Sequence, residues 1–231
     1  GPATFRRYAP GRRNGCVAAV VAFGGVLFLG PLNGLLLAIA QSLLGLVYRS
    51  MQVGVDEMGR VEGEKAAWGS VGNDSSRRTY RGVTVLRPDG PLFWANATSV
   101  VGHIEMATRA RQPLYAVVLD LEATNQMDTT TAERLDGLLT RLRAEGTDLY
   151  LVRVFGNVRD VLSKSGFLDT LGPDHVWHSI AAGVKAARAA RAAGIDPANP
   201  FPTPDEVDPL DEPDELDEGA GEQIASKGER P

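Results

Sequence analysis

The chain has 231 residues, with 24 lysines and arginines, 29 aspartates and glutamates, and one cysteine. A single cysteine excludes a disulfide framework and a cysteine-based metal cluster. The net charge of −5 hides an asymmetry, because 12 acidic and 2 basic residues lie from Asp196 onward. Subtracting them from 29 and 24 leaves 17 acidic and 22 basic residues, a net charge of +5, in residues 1–195.

The first predicted element is a charge-free run of 35 residues, Asn14–Tyr48. One helix of that length would be about 52 Å long, whereas the hydrocarbon core of a bilayer is about 30 Å thick. Pro31, Asn33 and Gly34 form a turn signal in its middle. We therefore predict a membrane hairpin of two short helices. The hairpin covers residues 1–50, with helices at about 15–30 and 32–48.

Arginines flank this run on both sides and are absent from its central turn. They are Arg6, Arg7, Arg12 and Arg13 before the run, and Arg49 and Arg60 after it. The positive-inside rule then places both termini and the following domain in the cytoplasm, in a multi-pass protein of the plasma membrane. A buried hairpin of a large soluble protein and a cleaved signal peptide are the alternatives. The lack of a polar stripe opposes the first, and two apolar segments without a small-x-small cleavage site oppose the second.

Two segments of biased composition follow the hairpin. Residues 51–81 are rich in Gly, Ser and charged residues and are predicted to be a linker. Residues 194–231 are rich in Pro, Asp and Glu and poor in aromatic residues. Such a composition buries too little apolar surface to fold alone, so we predict a disordered acidic tail.

Between these segments, residues 82–193 alternate between strand and helix patterns. Strands are predicted at Gly82–Arg87, Gly90–Ala95, Tyr115–Leu121, Asp148–Phe155 and, as a short strand, His175–Trp177. Helices are predicted at Asn96–Arg111, Thr129–Glu145, Val158–Ser165 and Ser179–Ala193. The order ββαβαβα, followed by the short strand and a last helix, predicts an α/β domain with a mixed sheet and packed helices.

Three stretches of this domain carry a family resemblance. They read GVTVLRPDGPLFWANATSV, YAVVLDLEATNQMDTTTAERLDGLL and LYLVRVFGNVRDVLSKSGFLDTLG. They resemble the STAS domain of SulP-type anion permeases, the bacterial relatives of the SLC26 transporters. The hairpin, a Gly59-Arg60-Val61 linker and the R-x-D-G-P-L-F-x-A-N-A motif of Arg87–Ala97 also follow that family's order. The similarity runs from about Ala3 to Arg188 and leaves out the acidic tail.

The resemblance implies the C-terminal part of a permease, with its last two transmembrane segments and its STAS domain. It implies inorganic anion transport, usually of sulfate, with the STAS domain as a cytoplasmic regulatory and dimerisation module. Substrate in such transporters lies between two broken helices, neither of which is in this chain. We therefore expect no substrate-binding residue here and no transport by the chain alone. Expected partners are the rest of the membrane domain, a second copy in a homodimer, and a cytoplasmic regulatory protein or nucleotide, but no nucleic acid.

The candidate functional site is the loop from Asp120 to the helix start at Asp128, Thr129, Thr130 and Thr131. In the related anti-sigma factor antagonists this junction carries a phosphorylated serine, which Thr130 matches. A phosphate there would lie at a helix N-terminus, where backbone N–H groups favour anions. The simpler interpretation is that Asp128 or Thr129 caps the helix. Thr131 also replaces the glycine of the antagonists.

The alternative function is a membrane-tethered signalling module of the antagonist type, which binds a kinase or anti-sigma partner through residues 128–131. The chain contains no Walker loop, nucleophile elbow, dinucleotide fingerprint or H-E-x-x-H motif. His175 and His178 lack a nearby carboxylate or cysteine at ligand spacing. We therefore predict no catalytic residue, no metal, no cofactor and no enzymatic activity.

Overall fold

The computed structural model describes residues 23–24, 27–28, 30–61, 67–73 and 77–193. The chain divides into two compact units, residues 1–52 and residues 53–231. The predicted helix at 15–30 lies outside the described residues, apart from 23–24 and 27–28, which are helical. The predicted tail, residues 194–231, lies outside them entirely.

The first unit contains helix α1, Pro31–Met51, which is long and apolar enough to cross a membrane. Its 21 residues span about 32 Å at 1.5 Å per residue, close to the thickness of the hydrocarbon core. Pro31 begins the helix after Gly30, whose φ of +82° suits glycine. The residues that were predicted to form a turn, Pro31, Asn33 and Gly34, therefore lie in the first turn of this helix. Most of the large apolar side chains of α1 are exposed at the protein surface, as expected of a helix surrounded by lipid.

The second unit is built on one six-stranded mixed sheet of order β2-β1-β3-β4-β5-β6. Its strands are β1 (Val55–Arg60), β2 (Trp68–Ser70), β3 (Val83–Pro88), β4 (Ala116–Asp120), β5 (Asp148–Val152) and β6 (Val176–Trp177). Strands β3 to β6 run parallel, whereas β1 is antiparallel to both of its neighbours. The carboxyl ends of β3, β4 and β5 therefore meet at one edge of the sheet, and β1 begins at that same edge.

Helices cover both faces of this sheet. They are α2 (Trp94–Ala110), α3 (Thr129–Ala144), α4 (Gly156–Lys164), α5 (Phe167–Leu171) and α6 (Ile180–Ala193). One hydrophobic core lies between the sheet and α2 to α5, and the second lies under α6. Alternate residues of each central strand point into opposite cores, as Leu149 and Tyr150 do in β5. Both faces are apolar, which explains why β4 and β5 read as continuous hydrophobic runs.

Strand β1 was not predicted, because residues 51–81 read as a linker. Its sequence, VDEMGR, is mostly polar, and only Met58 and Gly59 are buried. Pairing with β3 holds it in place, with Asp56 opposite Arg87. Strand β2 is also within the predicted linker, so this segment contributes two strands to the sheet.

The predicted strand at Gly90–Ala95 is wrong. Leu92 forms one isolated parallel bridge with Met127, and α2 begins at Trp94. The amide of Asn96 explains this, because its Oδ1 accepts from the backbone N–H of Phe93 and its Nδ2 donates to the carbonyl of Pro91. These local hydrogen bonds favour a helix start over an extended strand. The other elements predicted within residues 82–193 are present with ends shifted by a few residues.

Candidate partner-binding site

The predicted site residues lie on the segment that leaves β4 and enters α3. Asp120 is the last residue of β4, and Asp128 is the residue before α3. Residues 121–128 therefore form a loop at the carboxyl edge of the parallel strands. In open α/β sheets, this edge is where ligands and partners most often bind.

Asp120 is fully buried, with 0% side-chain exposure, and it is paired with two arginines. Its Oδ2 atom accepts hydrogen bonds from Arg87 Nε and Arg153 Nη2. Its Oδ1 accepts from Arg153 Nε at 2.9 Å and from the backbone N–H of Glu122 at 3.2 Å. A buried carboxylate needs such partners, because an unpaired charge in this position would be very costly.

Glu122 closes this network on the solvent side. Its Oε2 lies 3.1 Å from Arg87 Nη2 and 2.9 Å from Arg153 Nη1. Two carboxylates and two guanidinium groups thus neutralise one another and join the ends of β3, β4 and β5. The network fixes the first residues of the loop relative to the sheet.

Arg153 reaches this network from a left-handed backbone conformation, with a φ of +54°. Such a conformation costs about 1–2 kcal/mol in a residue other than glycine. The backbone N–H of Arg153 donates to the carbonyl of Trp177, and the guanidinium contacts Asp120. These interactions hold the residue in place and end β5 earlier than the predicted end at Phe155.

Arg87, Glu122 and Arg153 were not predicted as site residues. A signal was present, because Arg87 and Arg153 each follow an apolar strand run directly and Asp120 ends another. Parallel neighbouring strands bring such charges together at one edge. Recognising the cluster required the strand order, which a single sequence did not provide.

Asp128 is the N-cap of α3. Its Oδ1 accepts from the backbone N–H of Thr131 at 2.9 Å and from the Thr131 hydroxyl at 2.7 Å, and its Oδ2 accepts from the backbone N–H of Trp94 at 2.7 Å. Burial raises the pKa of Asp128, but these hydrogen bonds outweigh it and hold the pKa below the ordinary value of 3.8. The interpretation of Asp128 as a helix cap is confirmed.

The three threonines after Asp128 differ in accessibility. Thr131 is buried, with its hydroxyl bonded to Asp128, whereas Thr129 and Thr130 are exposed. Thr130 therefore lies on the surface of the domain, whereas Thr131 does not. Asp120 belongs to the arginine network and Asp128 to the helix cap, so the predicted residues form two adjoining groups on one loop.

No group of three or more His, Cys, Asp or Glu side chains with metal-binding geometry is present among the described residues. His175 stacks on Tyr150, with the ring centroids 4.7 Å apart. His175 therefore packs against the sheet from its place beside β6.

Comparison with known families identifies the folded domain. Residues 75–183 match the family model described as the STAS domain. The chain therefore contains a STAS domain, as the three sequence stretches predicted. The parallel strands β3 to β6, helices α2 to α5 and the loop between β4 and α3 lie within the matched residues.

Sequence relatives extend the match beyond that domain. A probable sulfate transporter of Mycobacterium tuberculosis is 30% identical over 185 residues, which cover 80% of this chain and 33% of the relative. A low affinity sulfate transporter of Stylosanthes hamata is 28% identical, over 77% of this chain and 29% of the relative. The chain thus spans about a third of the length of these relatives. The predicted resemblance to SulP and SLC26 transporters is confirmed.

The fold of this chain is also similar to that of a solved anion transporter. The murine Solute Carrier 26 family member A9 anion transporter aligns with a TM-score of 0.68 and 20% identity, over 81% of this chain and 30% of that protein. At this identity the likeness concerns the fold alone. The sequence relatives are transporters rather than enzymes, and together with α1 they indicate a membrane protein.

Proposed function

We propose that this chain forms the STAS-bearing part of a sulfate or other inorganic anion transporter of the plasma membrane. The observations that carry the proposal are the match to sulfate transporters over 80% of the chain, the STAS domain and the apolar helix α1. Both termini and the STAS domain lie on the cytoplasmic side, according to the flanking arginines.

In this proposal the STAS domain regulates transport and holds a homodimer together. It acts by favouring one conformational state of the transporter rather than by binding the transported ion. The residues of this chain do not move the anion on their own. The absence of charge from α1 until Arg49 supports this view, because ion pathways within membranes are commonly marked by polar or ionisable residues.

Uptake of radiolabelled sulfate tests the proposal in cells that lack sulfate uptake. One culture expresses this 231-residue chain, and another expresses the longest natural reading frame that encodes it. We expect uptake in the second culture only. Sulfate uptake by the chain alone would contradict the proposal that its residues do not move the anion on their own. No sulfate uptake in either culture would contradict sulfate as the transported anion.

A second candidate function is supported by the exposure of Thr129 and Thr130 beside the capped helix start. A tethered signalling module would bind a kinase or anti-sigma partner at residues 128–131 and be switched by a phosphoryl group on Thr130. Intact-mass analysis of protein from its native cells, with and without phosphatase, measures the mass difference of about 80 Da that one phosphoryl group adds. Equal masses would contradict a phosphoryl switch at Thr130. A regulatory role of the STAS domain in transport does not require that switch.

A further inference from the structure

Two exposed aromatic side chains flank the candidate loop. Among the described residues of the second unit, the large apolar side chains with high exposure are Trp94 at 71%, Met106 at 66% and Phe155 at 45%. Met106 lies in the C-terminal half of α2, whereas Trp94 begins that helix and Phe155 immediately precedes α4. Both aromatic residues therefore lie at the carboxyl edge of the sheet.

The loop is tied to both sides of this edge. Asp128 accepts the backbone N–H of Trp94, and the carbonyl of Asn125 accepts a hydrogen bond from the side chain of Asn157, two residues after Phe155. Trp94, the loop and Phe155 thus belong to one continuous surface. We call Trp94, Phe155, Asp89 and Asp128 the edge surface.

The charge of this edge is negative. Five carboxylates lie there (Asp56, Asp89, Asp120, Glu122 and Asp128), against the two guanidinium groups of Arg87 and Arg153, so the sum is −3. The first two turns of α3 and α4 add two acidic and two basic residues and leave this sum unchanged (Glu133, Arg134, Arg159 and Asp160). Both arginines are already bonded to Asp120 and Glu122.

Asp89 shows the effect of this acidic excess. Burial raises the pKa of Asp89 above its ordinary value of 3.8, and the negative charge of Asp56 raises it further, whereas Arg87 opposes the rise. A cationic group placed beside Asp89 would therefore be favourable. Exposed aromatic residues beside uncompensated carboxylates suit a ligand that is both apolar and positively charged.

We propose that the edge surface binds a basic peptide segment that carries apolar side chains, with Trp94 as the aromatic anchor and the carboxylates selecting the charge. This inference rests on the proposed partner-binding role of the loop and gives its partner a chemical class. An anionic lipid surface and a second copy of the same acidic edge would both be repelled. Cytoplasmic loops of membrane proteins are enriched in Lys and Arg and are one source of such segments.

Peptide binding to the full chain in nanodiscs of neutral lipid tests this proposal by fluorescence anisotropy, with empty nanodiscs subtracted. The probe is an amphipathic peptide of about 12 residues containing Lys and Leu. One comparison peptide has Glu in place of each Lys, and the other has Ser in place of each Leu. We expect binding of the Lys–Leu peptide only, with affinity falling as salt is raised.

Matched variants locate the binding surface. Trp94→Ser should weaken binding at least about tenfold, as expected for an aromatic anchor. Asp89→Asn should weaken it about threefold and reduce the salt dependence. Met106→Ser and Glu145→Gln, which change an exposed apolar and an exposed acidic residue elsewhere, should stay within about twofold of the wild type.

Equal binding of the Glu-containing peptide would overturn the proposal. So would equal effects of Trp94→Ser and Met106→Ser. Sulfate uptake by the natural protein is measured separately, so a negative peptide result with intact uptake would reject the partner chemistry and leave the transporter assignment standing.

Discussion

Replacing Asp120 with asparagine should destabilise the STAS domain more than any other isosteric change at the candidate site. The carboxylate accepts three hydrogen bonds from Arg87 and Arg153 and one from the backbone of Glu122. The amide of Asp120→Asn keeps one acceptor but turns its own donors toward a guanidinium group. A hydrogen bond to a charged group contributes about 1.5–3 kcal/mol, and breaking a buried ion pair costs about 3–5 kcal/mol. Because Glu122 still neutralises part of the charge, we expect a loss of about 3 kcal/mol in the free energy of unfolding.

Urea unfolding followed by tryptophan fluorescence measures this loss. All three tryptophans, Trp68, Trp94 and Trp177, belong to the second unit, so the signal reports on the STAS domain. The control is Glu105→Gln, which removes the more exposed contact between Glu105 and Arg141 and should cost about 0.5 kcal/mol or less. The account of the network is refuted if Asp120→Asn costs no more than this control.

Three further predictions concern the cap, the packing of α6 and the core. Asp128→Ala should lower the unfolding free energy by about 1–2 kcal/mol through loss of the α3 cap. Since the folded-state pKa of Asp128 is lowered, its ionic contribution is present above the unfolded pKa of about 4 and is lost as the pH falls through the folded pKa, below which urea titrations of wild type and Asp128→Asn should converge. Gly183→Ala would place a Cβ atom 2.6 Å from Val152 Cγ1 and should cost about 1–3 kcal/mol, whereas Gly102→Ala, which has open space, should raise the melting temperature; equal melting temperatures would contradict the packing argument. Phe167→Ala should cost about 3–5 kcal/mol in the same urea assay, because its side chain is fully buried between the helices and the sheet, and a loss under about 1 kcal/mol would contradict that placement.

The strands with apolar side chains on both faces could be predicted from the sequence alone. β4 and β5 are mostly buried and rich in Val and Leu, and the helix after β4 combines a cap, a regular apolar face and a closing glycine at Gly146. Each local signal agreed with the fold. These elements could therefore be predicted without knowing which strands or helices pack beside them.

β1 could not be predicted in the same way, because its stability comes from its neighbour. Its mostly polar sequence lies beside β3, and Asp56 faces Arg87 across the pair. The strand that was predicted at the start of α2 is wrong for a related reason. The apolar residues there resemble a strand, but the buried Asn96 directs the backbone into a helix through two hydrogen bonds.

The candidate site was predicted only in part. Asp128 as a helix cap could be inferred from the residues that follow it, and Asp120 was included as part of the loop. The pairing of Asp120 with Arg87 and Arg153 depends on residues 33 positions away in each direction. These contacts form because the strand order brings the three residues together. The network could therefore be identified only from the structure.

The central proposal is that the STAS domain regulates anion transport by favouring one conformational state of the transporter, and an added charge on the loop that carries Thr130 should shift that preference. The most direct measurement is the initial rate of radiolabelled sulfate uptake by the natural protein with Thr130→Glu, at matched amounts in the membrane. Thr140→Glu, which adds the same charge at another exposed position of α3, is the control. The account predicts a rate changed by about fivefold or more for Thr130→Glu, the lower range of typical allosteric coupling, and an unchanged rate for the control. Equal rates for wild type and Thr130→Glu would contradict regulation through this loop.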